Sequence, residues 1–317
     1  MKTRAYLLML FVVAVWGSTF VLIKSALADS TPAAFNLVRM TLAFAVLAVV
    51  YHRSFRTIRR GQIVLGAIVG LCLAIGYQFQ TTGLALTTPS KSAFITGLVV
   101  VLVPLFSTIP ALREPRARRP GWNVFIGAAL AFLGILLLTA PAVIATQNST
   151  FRLDDLLPDL SSINLGDLLT LGCAVGFAFH CIALSRVSPR VGFRALAVLQ
   201  VGFCALFMAL SLPLIEHPHI HWTPHLALAL AIAAVLATAA AFSIQSWAQS
   251  ILPPAHTALL LTLEPVFAWI TSFLFMRERL GLVPAIGAML ILAAIALTEL
   301  ARISHTGRVL HRAGVQG

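Results

Sequence analysis

Glu264 is a carboxylic acid set in the middle of an apolar run and followed by Pro265. An ionisable group in such surroundings is costly and normally faces a cavity or a partner. Proline has no backbone N–H, so a carbonyl one turn earlier is left without its donor. Chemistry of this kind suits proton or cation coupling, or contact with the amine of a small molecule. A protonated carboxyl bonded to a neighbouring helix would account for the same residues. Arg39 also falls inside an apolar run, while Lys24 and Lys91 sit at the ends of two others. These cations could line a positive outer vestibule that attracts carboxylates or phosphates, or the lysines could simply snorkel to the headgroups.

A second tier is polar without charge. Ser18, Thr19, Asn36, Gln78, Gln80, His180, Gln245 and Gln249 lie within apolar stretches, and Trp16 and Trp247 offer faces for stacking. Such groups can orient a bound small molecule or tie helices together. The candidate cavity residues are Trp16, Ser18, Thr19, Asn36, Arg39, Gln80, His180, Gln245, Trp247 and Glu264, with Glu264 the coupling candidate and Lys24 and Lys91 the vestibule. Gly66xxxGly70 and Gly172xxxGly176 read as close helix contacts.

Several chemistries lack their residues. The alternate histidines His217, His219 and His221, with His225 beyond, have only Glu216 beside them and read as a solvated loop, not a metal site. Cys72, Cys173, Cys181 and Cys204 lie in apolar runs without a CxxC and read as free thiols. There is no GxxxxGK[ST], no HExxH and no dinucleotide glycine fingerprint. No cofactor, no metal and no enzymatic activity are expected.

The elements that position these residues follow from composition. Of 317 residues, 59% are hydrophobic and 10% charged, and mean hydropathy is +0.95. A soluble domain carries about 25% charged residues, so the natural solvent here is a bilayer. The net charge of +12 lies in short segments between apolar runs, which indicates membrane topology and not nucleic acid. A spanning helix needs about 20 apolar residues. Ten runs qualify, near 6–27, 32–51, 62–86, 91–111, 121–141, 166–186, 193–215, 224–250, 255–276 and 281–301. The run from Ala5 to Ile23 is longer than a signal-peptide core of ~7–15 residues and reads as an uncleaved first helix. With a cytoplasmic N-terminus, sixteen of the 22 basic residues fall on the inner side. That bias predicts a multi-pass protein of the bacterial cytoplasmic (inner) membrane with both termini cytoplasmic.

The chain repeats itself. Gln80–Phe94 and Gln245–Leu259 align at an offset of 165, pairing Gln80 with Gln245 and Pro89 with Pro254, and Leu112-Arg113-Glu114 echoes Met276-Arg277-Glu278. Two units of five spans must insert in opposite orientations, an arrangement typical of secondary transporters with a midplane site between the halves. The expected fold is therefore all-α, with ten transmembrane helices as two inverted five-helix repeats. The halves are 1–141 and 166–301, joined by an extracytoplasmic linker 142–165 and followed by a cytoplasmic tail 302–317.

Trp16-Gly17-Ser18-Thr19-Phe20 with Lys24, Ser92-Ala93-Phe94-Ile95-Thr96-Gly97-Leu98, Gly166-Asp167-Leu168-Leu169, and above all Ala258–Leu280 resemble segments of the drug/metabolite transporter (DMT) superfamily, EamA type. The resemblance spans nearly the whole chain. It departs at Arg277, where that family's turn usually has glycine, and at Val99-Val100, which stand opposite Glu264-Pro265 in the second repeat. The resemblance implies ten helices around a central cavity and a carrier of small metabolites. The predicted function is a secondary transporter, in the exporting direction, of an amino acid or related compound by alternating access. The alternatives are a membrane enzyme acting on lipid-linked substrates, for which paired catalytic acids are missing, and a receptor or scaffold. Expected partners are a small-molecule metabolite and the lipid bilayer, in a monomer or homodimer, without nucleic acid.

Overall fold

The computed structural model describes residues 2–112, 121–139, 164–188, 190–249, 252 and 260–312. Among them there is no strand, only an isolated bridge between Ser30 and Ile220. The helices are α1 (Lys2–Ala26), α2 (Pro32–Val50), a 3-10 segment (His52–Thr57), α3 (Arg60–Leu86), α4 (Pro89–Thr96), α5 (Val99–Phe106), α6 (Trp122–Thr139), α7 (Leu165–Val187) and α8 (Phe193–Ile215). They continue with α9 (Pro224–Ala231), a π-helical segment (Ile232–Ala240), α10 (Ala241–Gln249), α11 (Glu264–Met276) and α12 (Leu282–Arg312). Among the described residues, seven helical stretches are long and apolar enough to cross a membrane, and Trp122–Leu138, Glu264–Met276 and Leu282–Leu297 are shorter apolar helices. Only helices satisfy every backbone polar group within a bilayer, so the protein is a polytopic helical membrane protein.

Local sequence sets the helix starts. α2, α4 and α9 each begin Thr-Pro, with the threonine at the N-cap and proline in the first turn, where its missing N–H costs nothing. The Thr223 hydroxyl accepts from Leu226 N at 3.1 Å. Asn164 caps α7 by accepting from Gly166 N at 2.9 Å.

Glycine sets the closest crossings. α3 lies along α7 and α8, α1 along α11, and α6 along α12. A methyl group added at Gly176 would stand 3.0 Å from the Gly76 Cα, and one at Gly17 would stand 2.6 Å from the Glu264 carbonyl oxygen. Gly66 and Gly70 face Leu199 and Phe203 of α8 in the same way. These contacts are what small residues at membrane helix interfaces provide.

The connecting segments sort to two ends. At one, residues 27–31 pair with 216–223: Thr31 N donates to His219 O at 3.0 Å, His221 N to Asp29 O at 2.7 Å, and Ala34 N to Glu216 Oε1 at 2.8 Å. Asn164 Nδ2 donates there to Leu86 O at 2.7 Å. At the other end, Gln62 Nε2 donates to Arg190 O at 3.3 Å, and Arg186 Nη2 to Ala111 O at 2.7 Å.

Besides the eighth span, which winds as a π-helix over Ile232–Ala240, three spans differ from the sequence expectation. The fourth is broken at Gly97–Leu98 into α4 and α5. The ninth has a helical turn at Leu260–Leu261 and a break at Thr262–Leu263 before α11 starts at Glu264. Glu264 therefore opens a helix instead of lying nine residues into a continuous one, and Pro265 occupies the first turn, where it breaks no hydrogen bond. The two breaks stand 165 residues apart, which is the repeat offset. The last helix runs on to Arg312, past the expected end at 301. Most of the linker 142–165, the final residues 313–317, and Arg113, Arg116, Arg118 and Arg119 lie outside the described residues.

Candidate functional site

A cavity of about 160 Å³ opens between the halves. α1 supplies Trp16, Thr19, Phe20 and Ile23, and α2 supplies Arg39. α3 adds Leu73, Tyr77, Gln80, Thr81 and Leu84, while α7 adds Phe177, His180, Cys181 and Leu184. Phe242 and Gln245 come from α10. Both helix breaks border the space, through Thr96, Gly97, Val99 and Val100 on one side and Leu261 and Glu264 on the other. Broken spans meeting at a site are a recurrent transporter device, because half-helix ends offer unpaired backbone dipoles. Glu264 places its carboxyl at the positive N-terminal end of α11.

The polar residues fall into two groups. Gln80, Gln245 and Glu264 line the cavity, and their side chains have no hydrogen-bond partner among the described residues. The others are held. Trp16 Nε1 donates to Ala237 O at 2.8 Å, and Thr19 Oγ1 donates to Trp16 O at 2.6 Å. His180 Nε2 meets Gln200 Oε1 at 3.0 Å. Arg39, only 2% exposed, donates from Nε to Thr238 Oγ1 at 3.0 Å. It also reaches Tyr77 Oη at 3.4 Å and lies 4.5 Å from the Tyr77 ring centroid.

The π-helical segment makes two of these contacts. Thr238 Oγ1 donates to Ala233 O at 2.8 Å, five residues back. The wider winding presents the Ala237 carbonyl to Trp16 and the Thr238 hydroxyl to Arg39. Such π insertions collect at functional sites.

Ser18, Asn36 and Trp247 are not brought to the cavity. Ser18 Oγ and Thr271 Oγ1, 3.2 Å apart, join α1 to α11. Asn36 is fully buried. It donates to Tyr77 O at 3.0 Å and Gln78 Oε1 at 2.7 Å and accepts from Thr81 Oγ1 at 2.8 Å, tying α2 to α3. Trp247 packs with Ala5, Met9 and Leu252.

Lys24 and Lys91 line a separate recess of about 470 Å³ with Thr87, Thr88, Asn164 and Glu278. Lys24 Nζ donates to Leu84 O at 2.9 Å and Ala85 O at 2.8 Å, so it caps the C-terminal end of α3. Lys91 Nζ lies 4.0 Å from Asp167 Oδ2, and Asp167 also accepts from Thr87 Oγ1. Glu278 Oε2 accepts from Ser90 Oγ at 2.7 Å, from Ser90 N at 3.3 Å and from Ser272 Oγ. The recess thus holds each charged group in a contact: Lys24 on carbonyls, Lys91 beside Asp167, and Glu278 on two serines.

No three His, Cys, Asp or Glu side chains among the described residues are grouped to hold a metal. His221 Nδ1 lies 3.8 Å from Asp29 Oδ1, and His225 Nε2 meets Ser25 Oγ at 3.0 Å. The four cysteines are free, and Cys181 borders the cavity.

Tyr77, Phe177 and Phe242 were not singled out from sequence. The signal was there: Leu73, Tyr77, Gln80, Thr81 and Leu84 follow the three- and four-residue spacing of one helix face. Extending that stripe outward from Gln80 finds Tyr77, and the same step from His180 finds Phe177 and Leu184.

A membrane protein of packed helices around a small, mostly apolar cavity with a few placed polar groups is the class these features define. Residues 3–140 and 164–300 match the EamA-like transporter family, and the chain belongs to it. A protein of Archaeoglobus fulgidus described as an uncharacterized transporter is 30% identical over 286 residues, covering 90% of this chain and 82% of that protein. YvbV of Bacillus subtilis, described in the same words, is 25% identical over 311 residues, covering 94% of this chain and 92% of its own. A crystal structure at 21% identity superposes with a TM-score of 0.61 over 95% of this chain and 98% of that one, a likeness of fold alone.

Proposed function

We propose that this transporter is a secondary carrier that exports a small metabolite, such as an amino acid or related compound, across the cytoplasmic membrane by alternating access. Its ten spans act as two inverted repeats, 1–141 and 166–301, with both termini cytoplasmic. The observation that carries the proposal is the cavity itself, whose wall draws Gln80 from one half and Gln245 and Glu264 from the other. At about 160 Å³ it is smaller than the ~300–1,000 Å³ of sites for drug-sized ligands, which favours a small cargo.

The packing supports the repeat. Exchanging the first five spans for the last five turns the α1–α11 contact into that of α7 with α4 and α5. The same exchange turns α3–α7 into the contact of α10 and the π-helical segment with α1, and leaves α2–α8 and α6–α12 as they are. The segments around Arg53–Arg60 and Arg186–Arg194 share one end, in keeping with the positive-inside assignment.

Within this reading Glu264 is the coupling group. A metabolite survey of cells with and without the gene, followed by flux of the hits in proteoliposomes, tests the function. Gradient-dependent flux of at least one hit is expected. Conversion of a hit to a new product, or the absence of flux for every hit, would refute it.

A further inference from the structure

Arg39 is the permanent cation of the cavity wall. It is 2% exposed, and both of its polar partners, Thr238 and Tyr77, are neutral. The two ion pairs among the described residues are Lys91–Asp167 and His221–Asp29, so Arg39 forms no salt bridge there, and Glu264 is the acid that shares its cavity wall. A buried charge without a counter-ion is expensive. A structural arginine would be expected beside a carboxylate; this one is steered by hydroxyls and a ring face toward an open space.

Its geometry suits recognition. A guanidinium carries five N–H donors in a planar fork. Nε is fixed on Thr238 at 3.0 Å and one Nη hydrogen reaches Tyr77 Oη at 3.4 Å, which leaves three donors with no acceptor among the described residues. Thr238 is itself fixed, because its hydroxyl proton is committed to Ala233 O. The oxygen is thereby oriented to receive Nε, and both Nη1 hydrogens and one Nη2 hydrogen remain for a ligand. These donors match the two oxygens of a carboxylate.

We infer that the cavity selects cargo bearing a carboxylate group, which Arg39 binds through these donors, and that Thr238 is the residue that positions Arg39 for it. This rests on reading the cavity as the cargo site and names the cargo class that site takes. The apolar walls of Phe20, Tyr77, Phe177 and Phe242 receive the remainder of the molecule.

Binding to the purified full-length protein in nanodiscs tests the inference by titration calorimetry, with propionate, isocaproate and hydrocinnamate each set against its uncharged primary amide. At least one acid is expected to bind about tenfold or more tightly than its amide. Arg39→Gln should erase the difference, and Arg39→Lys should reduce it because the planar fork is lost. Thr238→Val should weaken binding of the acid about fivefold or more while leaving binding of the amide unchanged, with Thr238→Ser restoring the acid. If Arg39→Gln fails to fold, the Thr238 pair still decides. Equal binding of acid and amide, no binding of any acid, or discrimination that survives Arg39→Gln or Thr238→Val would overturn the inference. Flux of neutral compounds alone would sink this inference and spare the carrier; binding of acids with no flux of any metabolite would do the reverse.

Discussion

The recess around Lys24 and the cavity around Glu264 both lie where the halves meet, and both mix charged and polar groups, yet they treat those groups in opposite ways. In the recess Lys24 is spent on two carbonyls, Lys91 stands beside Asp167, and Glu278 takes both polar hydrogens of Ser90 and that of Ser272. In the cavity Glu264, Gln80 and Gln245 have no partner among the described residues, and Arg39 has only neutral ones. Partnered groups hold a structure together. Groups left open in a place that water and small molecules can enter are kept for something that comes and goes. The contrast separates a fastening from a site more sharply than charge does, since the recess has the greater number of charges.

Substitutions sharpen or break that contrast. The largest effect is expected at Glu264. Glu264→Gln keeps the shape and removes the charge, so coupled flux should fall at least about tenfold, or about 1.4 kcal/mol, with folded yield intact. Undiminished, gradient-dependent flux from this variant would place Glu264 with the fastenings. Glu278→Ala should do the converse. It deletes the acceptor for Ser90 and Ser272, and hydrogen bonds to a charged group are worth about 1.5–3 kcal/mol. A loss of roughly 2 kcal/mol in stability to denaturant is predicted, with binding in the cavity unchanged.

The smallest effect concerns Arg277, next to Glu278. Its φ of 55° is the one positive value among described non-glycine residues, and it forms the left-handed C-cap of α11. This conformation costs an L-residue about 1–2 kcal/mol, a cost that glycine escapes. Glycine also loses about 0.5–1 kcal/mol of chain entropy. Arg277→Gly should therefore stabilise by no more than about 1.5 kcal/mol and leave flux unchanged. A loss of stability would mean that the arginine side chain makes a compensating contact.

Much of the membrane architecture was legible because hydrocarbon is a severe solvent. Long apolar runs separated by Thr-Pro and Ser-Pro turns leave the backbone no alternative to helices. The Gln80 and Gln245 correspondence was legible as well, because a repeated position in two halves returns to one place when the halves pack face to face. The helix breaks were not. Gly97-Leu98 and Thr262-Leu263 are apolar or small, so hydropathy runs straight through them, and only the packing of α1 and α7 against those spans settles where they open. The π-helical segment was hidden for a related reason. Its sequence, IAAVLATAA, would serve an ordinary helix, and the wider winding is marked by Thr238 and by Trp16 from another span. Ser18 and Asn36 read from sequence as cavity groups because polarity inside an apolar run says that a partner is needed, without saying whether the partner is another helix.

The central claim is that one hollow, shared by the two halves, carries the cargo. In a background without the four native cysteines, Gln80→Cys and Gln245→Cys should both react with a membrane-impermeant maleimide, and the same transported metabolite should protect both. A position that stays unreactive from both faces of the membrane, or protection of one cysteine without the other, would contradict a common site.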